Sequence, residues 1–479
     1  MTDFLDQDAT SQLAVLAAGE VSSVELLEGA LARSAAIHPA LNVVVASDPE
    51  RSLAEARAAD ARRARGEALG PLDGLPMTVK DCFDVEGLPG VCGSPQLVGR
   101  ACGDAAAVAR TRAAGAIVWG KTNVPLMLGD WQTFNGVYGV TNNPWDPSRT
   151  PGGSSGGSAA ALATGVTALE IGSDIAGSLR VPASFCGVFS HKPTWGAVSQ
   201  AGHIPPAPGT VAARDLNVVG PMARSARDLA LLFGVIAEAS APPRPAADLR
   251  ALRIGLWLDG FPLDPEVRAV MDTFVADLTA AGACPRRIES PVPTEALMAA
   301  YRTLLGAVVA TDLPPEVQAR IQQSRLAVDQ AVRDGAPSTP EMQFFRDFAA
   351  THAEWLAADE VRARLSGTVA KVFEDLDVIV APVAPVAAFP HQHGPFLQRQ
   401  LQTTAGDKLP YNAMQTWIAL ATACRLPATV VPAGVTASGL PVGAQVIGPH
   451  GGDLTTLAVA RALDEQVRGF VAPQAAAAR

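Results

Sequence analysis

Between Pro151 and Arg180 the chain reads Pro-Gly-Gly-Ser-Ser-Gly-Gly-Ser, then a run of small apolar residues, then Ser-Asp-Ile-Ala-Gly-Ser-Leu-Arg. Glycines at 152, 153, 156 and 157 open backbone conformations closed to other residues, so the chain around Ser154 and Ser155 can turn sharply and come close to another group. Taken alone, a Gly/Ser run is more often a flexible linker or a phosphate-cradling loop. The linker reading fails on the neighbouring stretch, because Ala159 to Ile171 is small and apolar, the composition of an element packed inside a core. The phosphate-loop reading fails because no lysine lies in the stretch. Two serine-bearing turns therefore bracket a segment with room for one buried helix and one strand.

A chain of 479 residues, 48% hydrophobic and 18% charged, can bury a large core. Its 37 basic and 47 acidic residues leave a formal net charge of −10 with no basic run, which argues against nucleic acid or an anionic membrane as partner. The N-terminus, Met-Thr-Asp-Phe-Leu-Asp-Gln-Asp, lacks the basic region and apolar run of a signal peptide, so the expectation is a cytoplasmic protein. Residues 159–171 fall short of the ~20 that a membrane helix needs. Six cysteines, at 82, 92, 102, 186, 284 and 424, form no Cys-x-x-Cys pair and read as free thiols. His391 and His393 flank a glutamine without a third ligand at convincing spacing, so they read as a polar loop, and neither a metal nor a cofactor is expected.

Along the chain, Ser22 and Glu25 have capping-box spacing, and the first ~40 residues read as helical. Leu41–Ala46 reads as a strand, Asp48-Pro49 as the start of an Ala/Arg-rich helix, and Met77–Lys80 as a short strand ending in a lysine. A helix over 105–114 and a strand over 116–120 come next, then a long irregular stretch from Lys121 to Arg149. Beyond the Gly/Ser region lie a helix over 225–238, a Pro-rich linker over 239–245, a strand over 253–257 and an amphipathic helix from Asp264. Residues 295–375 are mostly helical and read as an inserted lid or specificity region. Strands at 378–380, 428–431 and 443–447 and a helix capped by Asp453 close the chain. The alternation predicts one α/β domain spanning residues 1–479. Its mixed, mostly parallel central sheet would be covered by helices on both faces, with the core of the site at about 70–235.

Several motifs then agree in order and spacing. They are Gly74-Leu75-Pro76 with Lys80-Asp81, the loop Gly152 to Ser158, Asp174 to Pro182, Cys186-Gly187, Lys192-Pro193-Thr194 and the late Gly-Leu-Pro-Val-Gly-Ala-Gln-Val-Ile-Gly-Pro. Together they resemble the amidase signature family over essentially the whole chain. The resemblance implies a Ser-Ser-Lys hydrolase of non-peptide C–N bonds working through an acyl-enzyme. Ser178 would be the nucleophile, Ser154 a bridging serine beside a cis peptide, Lys80 the base, and the N–H groups of Ile175, Ala176, Gly177 and Ser178 the oxyanion hole. Ala176 departs from the glycine more usual there.

Chemistry supports the same scheme: a serine hydroxyl needs a base, no histidine has an obvious partner carboxylate, and a lysine serves only if burial keeps it neutral. His191 sits in a Lys-Pro turn and reads as structural. Ser155 and Ser158 read as hydrogen-bonding supports, and Asp174 and Arg180 as holding the loop. Met127, Leu128 and Trp131, just before the signature, are expected to help form an acyl pocket, although core packing explains them equally well. With aromatic and apolar residues there and no evident arginine for a carboxylate, the expected substrate is a small, neutral, hydrophobic or aryl amide, or a carbamate, as for an aryl acylamidase or urethanase. The alternative is an amidotransferase-type protein that works only within a complex amidating aminoacyl-tRNA. Family members are often homodimers, and analogy is the sole ground for expecting one here.

Overall fold

The computed structural model describes residues 4–239 and 242–473. Met1–Asp3, and Ser240 and Ala241 of the Pro-rich linker, lie outside the described residues. The N-terminal helical region divides at Gly19 into Ala9–Ala18 and Ser23–Leu41. Ser22 caps the second helix in a full capping box with Glu25, and Asn42 closes it in a left-handed turn. The first strand consequently starts late, at Val44–Ser47, and the next helix, Pro49–Ala64, is capped by Asp48 with proline in its first turn.

Among the described residues eleven strands form one sheet covered by helices. In space they run Val44–Ser47, Ile117–Thr122, Pro76–Lys80, Leu169–Asp174, Val218–Ala223, Phe189–Lys192, Ala428–Val435, Pro441–Ile447, Val378–Pro382, Ile254–Leu256 and Arg286–Arg287. The α/β architecture expected from the alternation is present. Parallel pairing falls in two blocks, one around Pro76–Lys80 and one around Ile254–Leu256. The pairings between those blocks, and at the Val44–Ser47 edge, are antiparallel. The difference tracks the connections: a helix carries the chain back between Pro76–Lys80 and Ile117–Thr122, and another between Ile117–Thr122 and Leu169–Asp174.

The first parallel block positions the site. Thr78 pairs with Glu170 and Val79 with Ile171, so Lys80 and Asp174 both emerge at the C-terminal edge of adjacent strands. Between these strands the chain forms the buried helix Gly156–Ala163, whose N-terminus is the Gly/Ser loop. Above this edge, Thr294–Ala310, Pro315–Arg333, Pro340–Phe348 and His352–Asp375 pack on one another as a helical roof. Asp453 begins the last helix rather than capping it: its carboxylate accepts from the Thr194 N–H at 2.8 Å and the Thr194 hydroxyl at 2.6 Å.

Candidate active site

Lys80 ends a strand in which every residue is buried, and its own exposure is 0%. Its Nζ lies 2.8 Å from Ser154 Oγ, 2.9 Å from Ser173 Oγ and 3.3 Å from the Ser173 carbonyl. Burial pulls the Lys80 pKa below the ordinary lysine range, against the opposing pull of Cys82, Cys92, Asp174 and Glu170. That pull is weak for a reason visible in each neighbour. Burial holds the Cys82 thiol up at about 11 and raises Cys92 well above the ordinary thiol range. Burial also pushes Glu170 up to about 8, despite the hydrogen bond from Thr78, so it too is neutral near pH 7. The fourth neighbour, Asp174, is charged but already paired with Arg180. No unpaired anion among these four draws a proton onto Lys80.

Ser154 is 1% exposed and is joined to Gly153 by a cis peptide. Glycine is required at 153 by close approach, since a Cβ there would lie 2.5 Å from the Gln132 carbonyl and 2.6 Å from that of Asp130. The two serine turns are joined directly: the Ser155 N–H donates to the Ser178 carbonyl at 3.1 Å. The Ser155 hydroxyl donates to the Ser173 carbonyl at 3.4 Å, and Ser158 bonds Thr122 at 2.8 Å, the supporting roles expected of them.

The loop from Ile175 to Ser178 is held from both sides. Beneath it, Asp174 accepts from the Gly177 N–H at 2.8 Å and the Leu179 N–H at 3.2 Å, and pairs with Arg180 at 3.0 Å, both side chains being fully buried. Burial opposes the Asp174 charge, but Arg180 and these donors outweigh it and hold the carboxyl down at about 2. Arg180 is fastened in turn to the Ile418 carbonyl, Gln445 and Thr422. From above, Trp131 donates to the Ala176 carbonyl at 2.7 Å and Tyr301 to the Ile175 carbonyl at 3.2 Å. With both carbonyls turned to these donors, the N–H groups of Ile175, Ala176 and Ser178 have no protein acceptor among the described residues. The Gly177 N–H, expected among the oxyanion donors, is instead taken by Asp174, because the loop needs that bond to keep its turn.

Ser178 opens into a cavity of about 910 Å³, within the range of small-molecule sites. Leu128 and Trp131 line it as expected. Met127 does not: it sits in a short turn at φ 45°, its N–H bonds the Cys92 carbonyl at 3.0 Å, and its side chain packs on the main core. Gly129 and Asp130 of the same loop, and Ile175 and Ala176, line it too; sequence reasoning missed the lining that comes from outside these stretches. Phe344 and Phe348, stacked with centroids 4.2 Å apart, and Arg302 and Arg320 come from the roof, so the expectation that no arginine serves this pocket is corrected. Asp130 also lines it, ion-paired to Arg399 and accepting from Tyr411 at 2.6 Å.

Ser173 was missed as well, although its place beside Asp174 on a strand ending at the lysine was a readable signal. His191, with no carboxylate partner evident in sequence, has one in Asp453 at 3.1 Å, and its other nitrogen bonds Thr429 at 2.9 Å. With both nitrogens engaged, and burial lowering its pKa against the Asp453 charge, it is structural as expected. His391 and His393 stack 6.2 Å apart, and no group of three potential metal ligands exists among the described residues. No helix among the described residues is long and apolar enough to cross a membrane.

The profile of the family described as Amidase matches residues 25–457 of this chain. The chain belongs to that family. Among its relatives is a glutamyl-tRNA(Gln) amidotransferase subunit from Chloroflexus aurantiacus, 34% identical over 487 aligned positions that cover 96% of each chain. A solved amidase superposes with a TM-score of 0.79 at 29% identity, covering 96% of this chain and 100% of the other. A bacterial aryl acylamidase of the amidase signature family superposes with a TM-score of 0.81 over 99% of each chain, and at 23% identity it shows the shared fold.

Proposed function

We propose that this amidase hydrolyses the C–N bond of small amides, and of carbamates that fit the same cavity, through an acyl-enzyme on Ser178. The observation that carries the reading is the contact of 2.8 Å between a buried lysine and a buried serine at the foot of a cavity lined by a second serine. Neutral Lys80 takes the Ser154 proton as Ser154 takes that of Ser178, and Ser178 Oγ bonds to the carbonyl carbon. The oxygen that becomes negative is received by the N–H groups of Ile175, Ala176 and Ser178, each donor being typically worth about 3 kcal/mol. The proton returns along the same path to the nitrogen, the C–N bond breaks, and the amine leaves. Water then repeats the sequence on the acyl-enzyme and releases a carboxylic acid from an amide, or a carbonic acid half-ester from a carbamate.

The aromatic lining, with Trp131, Phe344, Phe348 and Phe396, supports an apolar or aryl group on the acyl side. A second reading is supported by the names of the relatives: a component of an amidotransferase, which would act with partner chains. Hydrolysis of a neutral anilide and an aryl carbamate by the purified chain, beside Ser178→Ala, separates the two. Amine release by the wild type and not by the variant supports the free-standing hydrolase. No release from any member of a broad amide, carbamate and ester panel would overturn it in favour of the amidotransferase component.

A further inference from the structure

We infer that the roof of the cavity carries an anion subsite, centred on Arg302 and completed by Arg320, which selects amides bearing a carboxylate away from the scissile bond. The inference rests on the hydrolase reading and names its substrate class. Tyr301 pins the helix Thr294–Ala310 to the loop of Ser178 through the Ile175 carbonyl, which fixes where its neighbour Arg302 stands. From that helix Arg302, Leu305, Gly306 and Val309 line the cavity, the i, i+3, i+4, i+7 stripe of a single helical face. Leu305 and Val309 are apolar, and Gly306 has no side chain because a Cβ there would lie 2.6 Å from the Asp347 backbone. One cation therefore stands on an otherwise apolar face.

That cation has no ion-pair partner among the described residues. Arg302 Nε is enclosed without a hydrogen-bond acceptor, and no hydrogen bond joins the guanidinium to the protein among them. Arg320, which lines the same cavity from Pro315–Arg333, has no ion pair either among them. Elsewhere in the roof, among the described residues, Arg325 pairs with Asp329 and Glu354, Arg346 with Asp329 and Arg362 with Asp215, while Arg333, outside the cavity, bonds Gln330 at 2.9 Å. The acids that line the cavity do not serve as counter-ions. Asp130 is occupied by Arg399 and Tyr411. Asp347 accepts from Thr303 at 3.0 Å and Gln343 at 2.9 Å, and burial raises its carboxyl above the ordinary range despite the charge of Arg302 nearby. Glu341 is exposed in the first turn of its helix, and neither acid forms an ion pair with Arg302 or Arg320. An enclosed guanidinium donor without an acceptor is costly, and a carboxylate meets its planar fork with two hydrogen bonds. The amide that fits has an apolar spacer along Leu305 and Val309 and an acid group at Arg302, as in a monoamide of a dicarboxylic acid.

The test compares glutaric acid mono-4-nitroanilide with pentanoic acid 4-nitroanilide, which match in chain length and differ in the carboxylate. The wild type is expected to prefer the acid by roughly 10- to 100-fold in kcat/KM, with the difference in KM. Arg302→Met should collapse the ratio to about one, and Arg302→Lys should restore part of it. Arg333→Gln, on the roof but outside the cavity lining, should leave the ratio as it is. A wild-type ratio near one, or a ratio that Arg302→Met leaves unchanged, overturns the subsite while the hydrolase reading stands. Calorimetric binding of glutaric acid mono-4-nitroanilide to Ser178→Ala keeps the two readings apart. Tighter binding of the acid than of the neutral anilide, lost on adding Arg302→Met, supports the subsite even if turnover fails; equal binding of the two overturns it.

Discussion

The floor of the cavity and its roof are built on opposite terms. In the floor, Lys80, Ser154, Asp174 and Arg180 are each at most 1% exposed and Ser178 is 6% exposed. The Asp174–Arg180 pair is further fastened by hydrogen bonds to the strand Pro441–Ile447 and to the start and body of the helix Ala419–Ala423, more than two hundred residues away. In the roof, most of the residues that face the cavity are half-buried or exposed, and they come from three successive helices. A floor of this kind holds reacting groups in one geometry, and a roof of this kind can change its lining without disturbing them. On the proposed function, chemistry and selectivity fall in separate parts of the chain, linked by the Tyr301 bond to the Ile175 carbonyl.

On that division, substitutions in the floor should remove turnover and those in the roof should redistribute it. The largest effect is expected of Ser178→Ala and Lys80→Met, each lowering kcat by about 10⁴-fold or more. Lys80→Met should also raise the melting temperature at neutral pH. Burial depresses the folded-state pKa of Lys80, so the unfolded chain binds more protons, and the penalty of burying the amine grows as pH falls below the ordinary lysine range. A Lys80→Met protein melting below the wild type at pH 7 would refute the neutral, desolvated base.

Next, Asp174→Asn should cost about 10²-fold in kcat, because the Gly177 N–H and Arg180 would lose their charged acceptor and the loop its turn. The partner prediction in the roof is Gly306→Val. Its side chain would strike the Asp347 backbone and push Pro340–Phe348 outward, so KM should rise about tenfold with kcat changed by less than about threefold. Equal losses in kcat would place the roof within the reacting apparatus and break the comparison.

The smallest effect is expected of Glu170→Gln. The folded protein holds the Glu170 proton to about pH 8, whereas the unfolded chain releases it near pH 4. The wild type therefore loses stability as pH rises through that interval, and Glu170→Gln should gain relative to it from about pH 5 to about pH 8, by a few degrees in Tm. Melting curves at the two pH values with no relative change would contradict a neutral Glu170.

The same division explains what could be read from the sequence. The residues that build the floor were legible because they sit in local motifs, glycines at sharp turns, serines at fixed spacing and a lysine closing an apolar strand, that resemble those of the amidase signature family. The α/β alternation was legible for the same local reason. Pairing direction in the middle of the sheet was not, since it depends on which strands meet across Val218–Ala223, Phe189–Lys192 and Ala428–Val435, far apart in the chain. Asp453 looks like a cap in sequence because its partners, Thr194 and His191, lie 259 and 262 positions away. Gly177 looks like a free donor until Asp174 is seen beneath it. In the roof, helices can be read but not their facing sides, so Arg302 and Arg320 pass as ordinary surface charges.

Everything proposed for the floor depends on Ser178 forming a covalent bond to the acyl group, with Lys80 as the base that starts the relay. The most direct test is to react the protein with an activated aryl carbamate that acylates and turns over slowly, then locate the adduct by peptide mass spectrometry in the wild type and in Lys80→Met. The expected result is a single adduct per chain, on Ser178, formed at least about 10³-fold more slowly in the variant. An adduct on Ser154 or another residue, or equal rates in the two proteins, would contradict it.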